Sequence, residues 1–261
     1  MTLIAILVGT LVAGIGSVWV AAALSFGALA RYTQHMLSLA AGALMATAFM
    51  HLLPEAFESQ VDAHDLFLTL LLGLVFFFLL DKAELWHHGH EHSHQTHDHD
   101  HGHDHGHSHV PQPGSWAIVT GDSVHCFGDG ILIASAFMAD MRLGFIASLA
   151  VLAHEVPHHM GDLMVLRSGA NNKRMALIKV SLAGAVTALG GLAGYWLVDQ
   201  LHDYLPYFLV VASSSFVYVA LADLIPQLQK RLSLRETMSQ IAWLALGMGM
   251  VTLLSGMAHG H

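Results

Sequence analysis

Long apolar runs, separated by short polar or charged breaks, dominate the chain. A hydrocarbon core about 30 Å thick takes roughly 20 apolar residues in helical form. Eight runs reach that length, at 2–25, 36–58, 66–86, 116–139, 143–167, 174–199, 205–229 and 237–258. They are too long for the roughly 10-residue strands of a membrane barrel and lack sustained in/out alternation. Helices, which satisfy their own backbone groups in lipid, are the remaining choice. The pattern predicts an all-α polytopic membrane protein, a single transmembrane domain over 1–261 interrupted by a loop at 87–114. The first run lacks a basic leading region and is long for a signal peptide, so it is expected to be a retained helix.

Composition agrees. Only 11% of residues are Asp, Glu, Lys or Arg, and 54% are hydrophobic, whereas soluble domains carry about 25% charged residues. The 24 glycines, Gly184, Gly190, Gly191 and Gly194 among them, suit close helix–helix contact in lipid. The single cysteine, Cys126, excludes an internal disulfide and a multi-cysteine zinc knuckle. Many of the acids behind the net charge of -9 fall in a histidine tract or within the spans, so the charge describes sites more than a surface field. Nucleic acid is not an expected partner.

The ten basic residues orient the spans. Arg31, Lys82, Arg167, Lys173, Arg174, Lys179, Lys230, Arg231 and Arg235 share one face, and Arg142 alone falls on the other. Lysine and arginine in short loops mark the cytoplasmic side. Both termini are therefore expected outside, in the plasma membrane, with acidic loops such as SQVDAHD (59–65) beside them.

The same ordering puts residues 87–109 in the cytoplasm. That stretch, HHGHEHSHQTHDHDHGHDHGHSH, holds 12 of the 22 histidines. It cannot build an apolar core and is expected to be disordered without metal. Imidazole density suits weak, multisite capture of transition metals. The bland alternative is a solvated linker.

Ionisable side chains at membrane depth are costly and by default functional. In the fourth span Asp122, His125 and Asp129 stand at i, i+3 and i+7 with Cys126 beside them, one polar stripe on a helix. In the fifth, HEVPHHMGD gives His154 and His158 at i and i+4, with Glu155, His159 and Asp162 on an adjoining stripe. These residue types suit zinc, which takes His nitrogen and carboxylate oxygen. His51-Leu-Leu-Pro-Glu55 in the second span and Asp223-Leu-Ile-Pro-Gln227 in the seventh resemble one another in opposite orientation, as inverted repeats of transporters do.

His154-Glu155-x-x-His158 also has the spacing of zinc metalloproteases, with Glu155 as general base. An intramembrane protease would need one metal site, leaving the fourth-span stripe and the histidine tract without a role. A transporter uses both. Pro157 removes a backbone donor and frees a carbonyl, tolerable where backbone lines a cavity. Several partial sites let an ion bind well enough to enter and loosely enough to leave. A sensor or buffer without transport is the third class.

With DSVHCFGDG and HEVPHHMGD in hand, the chain resembles the ZIP (Zrt/Irt-like) divalent-metal transporters, and most the branch reading D-G-x-H-N-F-x-D-G and H-E-x-P-H-E-x-G-D. The H-L-L-P-E-A block, here His51 to Ala56, and the His-rich third connection extend the likeness along the chain. The resemblance implies a principal metal site from His125, Asp129, His154 and His158. It also implies an adjacent second position with Glu155, sharing Asp129, and His51 and Asp223 along the pathway. Two positions depart from the branch: Cys126 stands for its Asn and His159 for its second Glu. Both replacements are softer ligands and lean toward zinc or cadmium over manganese. The implied function is zinc uptake, with Fe2+, Mn2+ and Cd2+ as further candidate cargo. No catalytic cofactor or enzymatic activity is expected, and a homodimer is a further expectation.

Overall fold

The structure, a computed structural model, describes residues 1–25, 33–90, 115–170, 173–225 and 233–256, and every regular element among them is helical. Eight helices can be followed. α1 is Thr2–Ser25. α2 runs over Thr33–Thr47, Ala48–Leu52 and Leu53–Phe57. α3 is Ala63–His90, α4 Ser115–Ala139, α5 Met141–Ala170 and α6 Lys173–Gln200. α7 begins at Leu205–Tyr218 and continues through Val219–Leu224, and α8 is Leu234–Gly256. Each apolar run of the sequence coincides with one of them. Residues 226–229 and 257–258 of the seventh and eighth runs lie outside the described residues, as do residues 91–109 of the histidine tract.

The chain is an all-α polytopic membrane protein. Five described helical stretches are long and apolar enough to cross a bilayer: Thr2–Ser25, His35–Phe57, Ala63–Leu80, Arg174–Gln200 and His202–Ala222. α4 and α5 are not among them. They carry the ionisable residues at mid-length, which lowers their apolarity.

Local chemistry sets several helix starts. Asp62 accepts the His64 backbone N–H at 2.8 Å, capping α3. Asp140 accepts from the backbone of Arg142 at 2.8 Å and of Leu143 at 3.3 Å, capping α5 one residue after α4 ends. Ser233 and Glu236 form a reciprocal capping box at the start of α8. Hydrogen bonds from the Ser233 side chain and backbone hold the Glu236 carboxyl below its ordinary value. Three helices contain a π-helical turn, at Val12–Gly16, Ala48–Leu52 and Val219–Leu224. The last two end two residues before Pro54 and Pro226 in the related blocks of α2 and α7.

α4 and α5 lie at the centre. α4 packs on α5, α6 and α7, while α5 packs on α1, α2 and α4. α3 rests chiefly on α7 and α8 chiefly on α2, at the periphery. Phe67, Leu71, Leu72, Phe76 and Leu79 of α3 are accordingly exposed, as are Met238, Ile241 and Leu253 of α8, as lipid-facing residues are. The α4–α6 contact depends on small residues. A Cβ at Gly130 would strike the Thr187 carbonyl, and one at Gly190 the Phe127 carbonyl. Without side chains there, the two backbones meet, fixing the face that α4 turns toward α5.

Candidate metal centre

One turn of helix separates successive polar side chains on α4 and α5, so residues of both helices meet in a ladder of three groups. In each, one ligand atom per residue lies within 4.8 Å of the others: His125, Asp129, His154 and Glu155; Asp122, Cys126, Glu155 and His159; and Asp122, His158 and Asp162. Most of these side chains are buried, His125, His158 and Asp162 being partly open.

In the first group His154 Nε2 lies 3.1 Å from Asp129 Oδ2 and 3.3 Å from Glu155 Oε1. His125 Nε2 lies 3.3 Å from Glu155 Oε1 and 4.0 Å from Asp129 Oδ2. None of the four atoms has a hydrogen-bond partner, although all are buried. The Nδ1 of His154 sits 3.3 Å from the Ala150 carbonyl, which can only accept, so Nδ1 carries a proton and Nε2 is the atom turned to the carboxylates, as a donor when it is protonated and as a ligand when a cation stands there.

Glu155 joins the first two groups. Its Oε1 serves the first, while Oε2 lies 3.0 Å from His159 Nε2 and 3.6 Å from Cys126 Sγ. Asp122 joins the second and third: Oδ1 is 3.6 Å from Cys126 Sγ, from His159 Nε2 and from His158 Nδ1. His158 Nδ1 is also 3.5 Å from Asp162 Oδ2.

The residues singled out by sequence therefore divide as follows. His125, Asp129 and His154 come together with Glu155. His158 stacks its ring on His125 with centroids 5.3 Å apart, but its ligand nitrogen groups with Asp122 and Asp162. The carboxylate shared between the first two groups is Glu155, and Cys126 is buried among ligands. His51 stands apart, buried in the wall of a cavity of about 370 Å³ that Glu55, Glu58, Asp140 and Arg142 also line. Asp223 lies on the π-helical turn of α7, and its side chain is outside the described residues.

The family model described as ZIP Zinc transporter matches residues 1–114 and 82–255. The chain belongs to the ZIP zinc transporter family. Zinc transporter foi of Drosophila melanogaster is 34% identical over 142 residues, 54% of this chain and 20% of that protein. Zinc transporter ZIP4 of Homo sapiens is 38% identical over 115 residues, 44% of this chain and 18% of that protein. The matched part of this ZIP chain thus spans about a fifth of the length of these relatives. Zinc transporter ZIP13 of Pongo abelii is 26% identical over 281 residues, covering 97% of this chain and 79% of that protein.

One residue of this ZIP chain beside the groups escapes sequence reasoning. Ser17, wholly buried on α1, places its Oγ 3.0 Å from His159 Nδ1. Its only signal in the sequence is a hydroxyl within an apolar run, and small hydroxyl residues are ordinary packing residues in membrane helices.

Proposed function

We propose that this ZIP-family chain moves divalent cations across the membrane, Zn2+ foremost, into the cytoplasm along the ladder between α4 and α5. Fe2+, Mn2+ and Cd2+ are further candidate cargo. The observation that carries the reading is the first group: His125 Nε2, Asp129 Oδ2, His154 Nε2 and Glu155 Oε1 converge inside the bundle with no hydrogen-bond partner. Nitrogen and carboxylate oxygen in this number match zinc's preferences.

A cation exchanges its waters for the first group, then passes by ligand substitution through Glu155 to the second group and through Asp122 to the third. Shared carboxylates keep each step short, and rearrangement of helix bundles opens the ladder to alternate sides. His51, in the cavity wall with Glu55, Glu58 and Asp140, and Asp223 on α7 serve the path. By the basic-residue bias that cavity lies on the outer side. Both termini outside follows from the same bias, and eight crossings and residence in the plasma membrane belong to the same reading. Kinship to the branch with the H-E-x-P-H-E-x-G-D signature is part of the reading. Crosslinking in native membranes reads whether two copies pair as a homodimer.

Metal flux into proteoliposomes tests the function. Wild type is expected to accumulate Zn2+ down its gradient, and His154→Ala and Asp129→Ala to lose most of that flux while remaining folded. Flux unchanged in both variants, or outward movement under every gradient, overturns the proposal.

A further inference from the structure

The ladder is open at one end and closed at the other. His158 and Asp162, nearest the Ala170 end of α5, keep 34% and 18% of their side chains exposed, and a Cβ at Gly161 would meet nothing within 4 Å. His154 and Asp129 of the first group are only 2% exposed. Toward the opposite end, the cavity beside His51 reaches Leu143. His154 follows eleven residues later on α5, about 16 Å along the helix axis. Ala48 of α2, Ile133 and Ala136 of α4, and Ala147 and Val151 of α5 lie between, all in one apolar core and at most 1% exposed. None of them can replace the waters of an ion, so a charge does not cross this stretch while it stays packed.

Most of those side chains are small, and the bulk comes from α7. Phe216 belongs to the same core, is 1% exposed and leads the wholly buried side chains in volume among the described residues. Its ring centroid lies 6.5 Å from that of His154, the two rings inclined at 59°. Among the described residues α7 gives no ligand atom to the ladder, so a ring is what it brings to the first group.

We infer that Phe216 is the gate between the outer cavity and the first group. The inference rests on the reading that a cation travels along the ladder, and it names the residue that keeps both ends from standing open together. Phe216 acts by excluding water beside His154, not by touching the cation. Ring and imidazole sit on different helices, so a shift of α7 against α5 uncovers His154 without unfolding either.

Thiol protection in the purified full chain, held in nanodiscs with both faces open to reagent, tests this. Val151 is wholly buried one turn from His154. In a Cys126→Ser background, which removes the only native thiol, Val151→Cys reports whether a water-soluble methanethiosulfonate reagent enters the sealed stretch. With Phe216 in place it is expected to stay protected. Phe216→Ser replaces the ring by a gap bordered by a hydroxyl and an imidazole, where water finds partners, and is expected to abolish the protection. Phe216→Leu, still apolar and bulky, is expected to keep it. Ala183→Cys, buried in a separate core, stays protected throughout, which tells an open gate from a loosened bundle. Phe216→Ala takes the place of Phe216→Ser if the latter does not fold.

Protection at Val151→Cys that survives loss of the ring overturns the inference, as does a thiol already reactive with Phe216 in place, or joint exposure of Ala183→Cys. Protection governed by Phe216 in a chain that moves no zinc in wild-type proteoliposomes sinks the transport reading and leaves the seal standing. Zinc flux with protection indifferent to Phe216 does the reverse.

Discussion

Glu155 Oε1 and His125 Nε2 lie 3.3 Å apart across the α4–α5 interface, two buried atoms without a hydrogen bond, while the other oxygen of the same carboxylate faces His159 and Cys126. One side chain therefore belongs to two candidate metal positions. Glu155→Gln keeps the shape but replaces an anionic oxygen by an amide. It is expected to weaken Zn2+ binding at both positions by at least about 10-fold, the low end of what disturbing a metal site costs. Calorimetric titration of wild type and variant in detergent checks this, two weakened steps being the expected result and one untouched step the contrary one.

Close backbone contact between α4 and α6 predicts the effect of a packing variant outside the ligand groups. Gly190→Val would drive a side chain into the Phe127 carbonyl. Overpacking costs about 1–3 kcal/mol when neighbours can shift, and backbone shifts less easily than a side chain. A lowered thermal midpoint in detergent is expected, with metal affinity falling alongside, because Phe127 neighbours the ligands of α4. Gly128, where a Cβ would meet nothing within 4 Å, serves as the control: Gly128→Ala should leave the midpoint near that of wild type.

Lipid contact along α3 is testable by charge. Phe76 is exposed on this peripheral helix, so in water Phe76→Lys would cost almost nothing. At the middle of a membrane span a lysine costs about 2.5–3.5 kcal/mol on insertion scales. Reduced insertion in a translocon reporter assay is the expected outcome, and insertion equal to wild type would remove α3 from the bilayer.

Deleting residues 87–109 is expected to leave zinc flux in place while changing its regulation or apparent affinity. The ladder described above uses none of those residues. Loss of all flux in a folded deletion variant would give the histidine tract an obligatory part in permeation.

Much of the architecture was legible because lipid imposes a simple grammar: each apolar run of about 20 residues coincides with a helix, from Thr2–Ser25 to Leu234–Gly256. Ligand types were legible for a related reason, since His154, Glu155 and Asp129 are too costly in such runs to lack a role. The grouping was not. Spacing put His154 and His158 on one stripe, yet four residues climb about 6 Å along a helix. The Nδ1 of His158 meets Asp122 and Asp162 instead. Cys126 read equally well as packing, because burial alone does not distinguish a small apolar residue from a ligand. Its meaning comes from Asp122 one turn back and from Glu155 and His159 on the facing helix. Ser17 was invisible for the same reason, its partner lying 142 positions away.

The π-helical turn at Val12–Gly16 bears on how this centre can be inherited. Such a turn carries one residue more than an α-helical path would need, and each residue rotates the helix by about 100°. Gly14, inside the turn, meets the Gly184 backbone, and Ser17, just after it, meets His159. Removing a single residue between them would leave α1 just as greasy and just as helical, yet those two appointments could no longer both be kept. Along this helix the phase is set by arithmetic, so lineages should tolerate exchanges of one apolar residue for another far more readily than a change in their number.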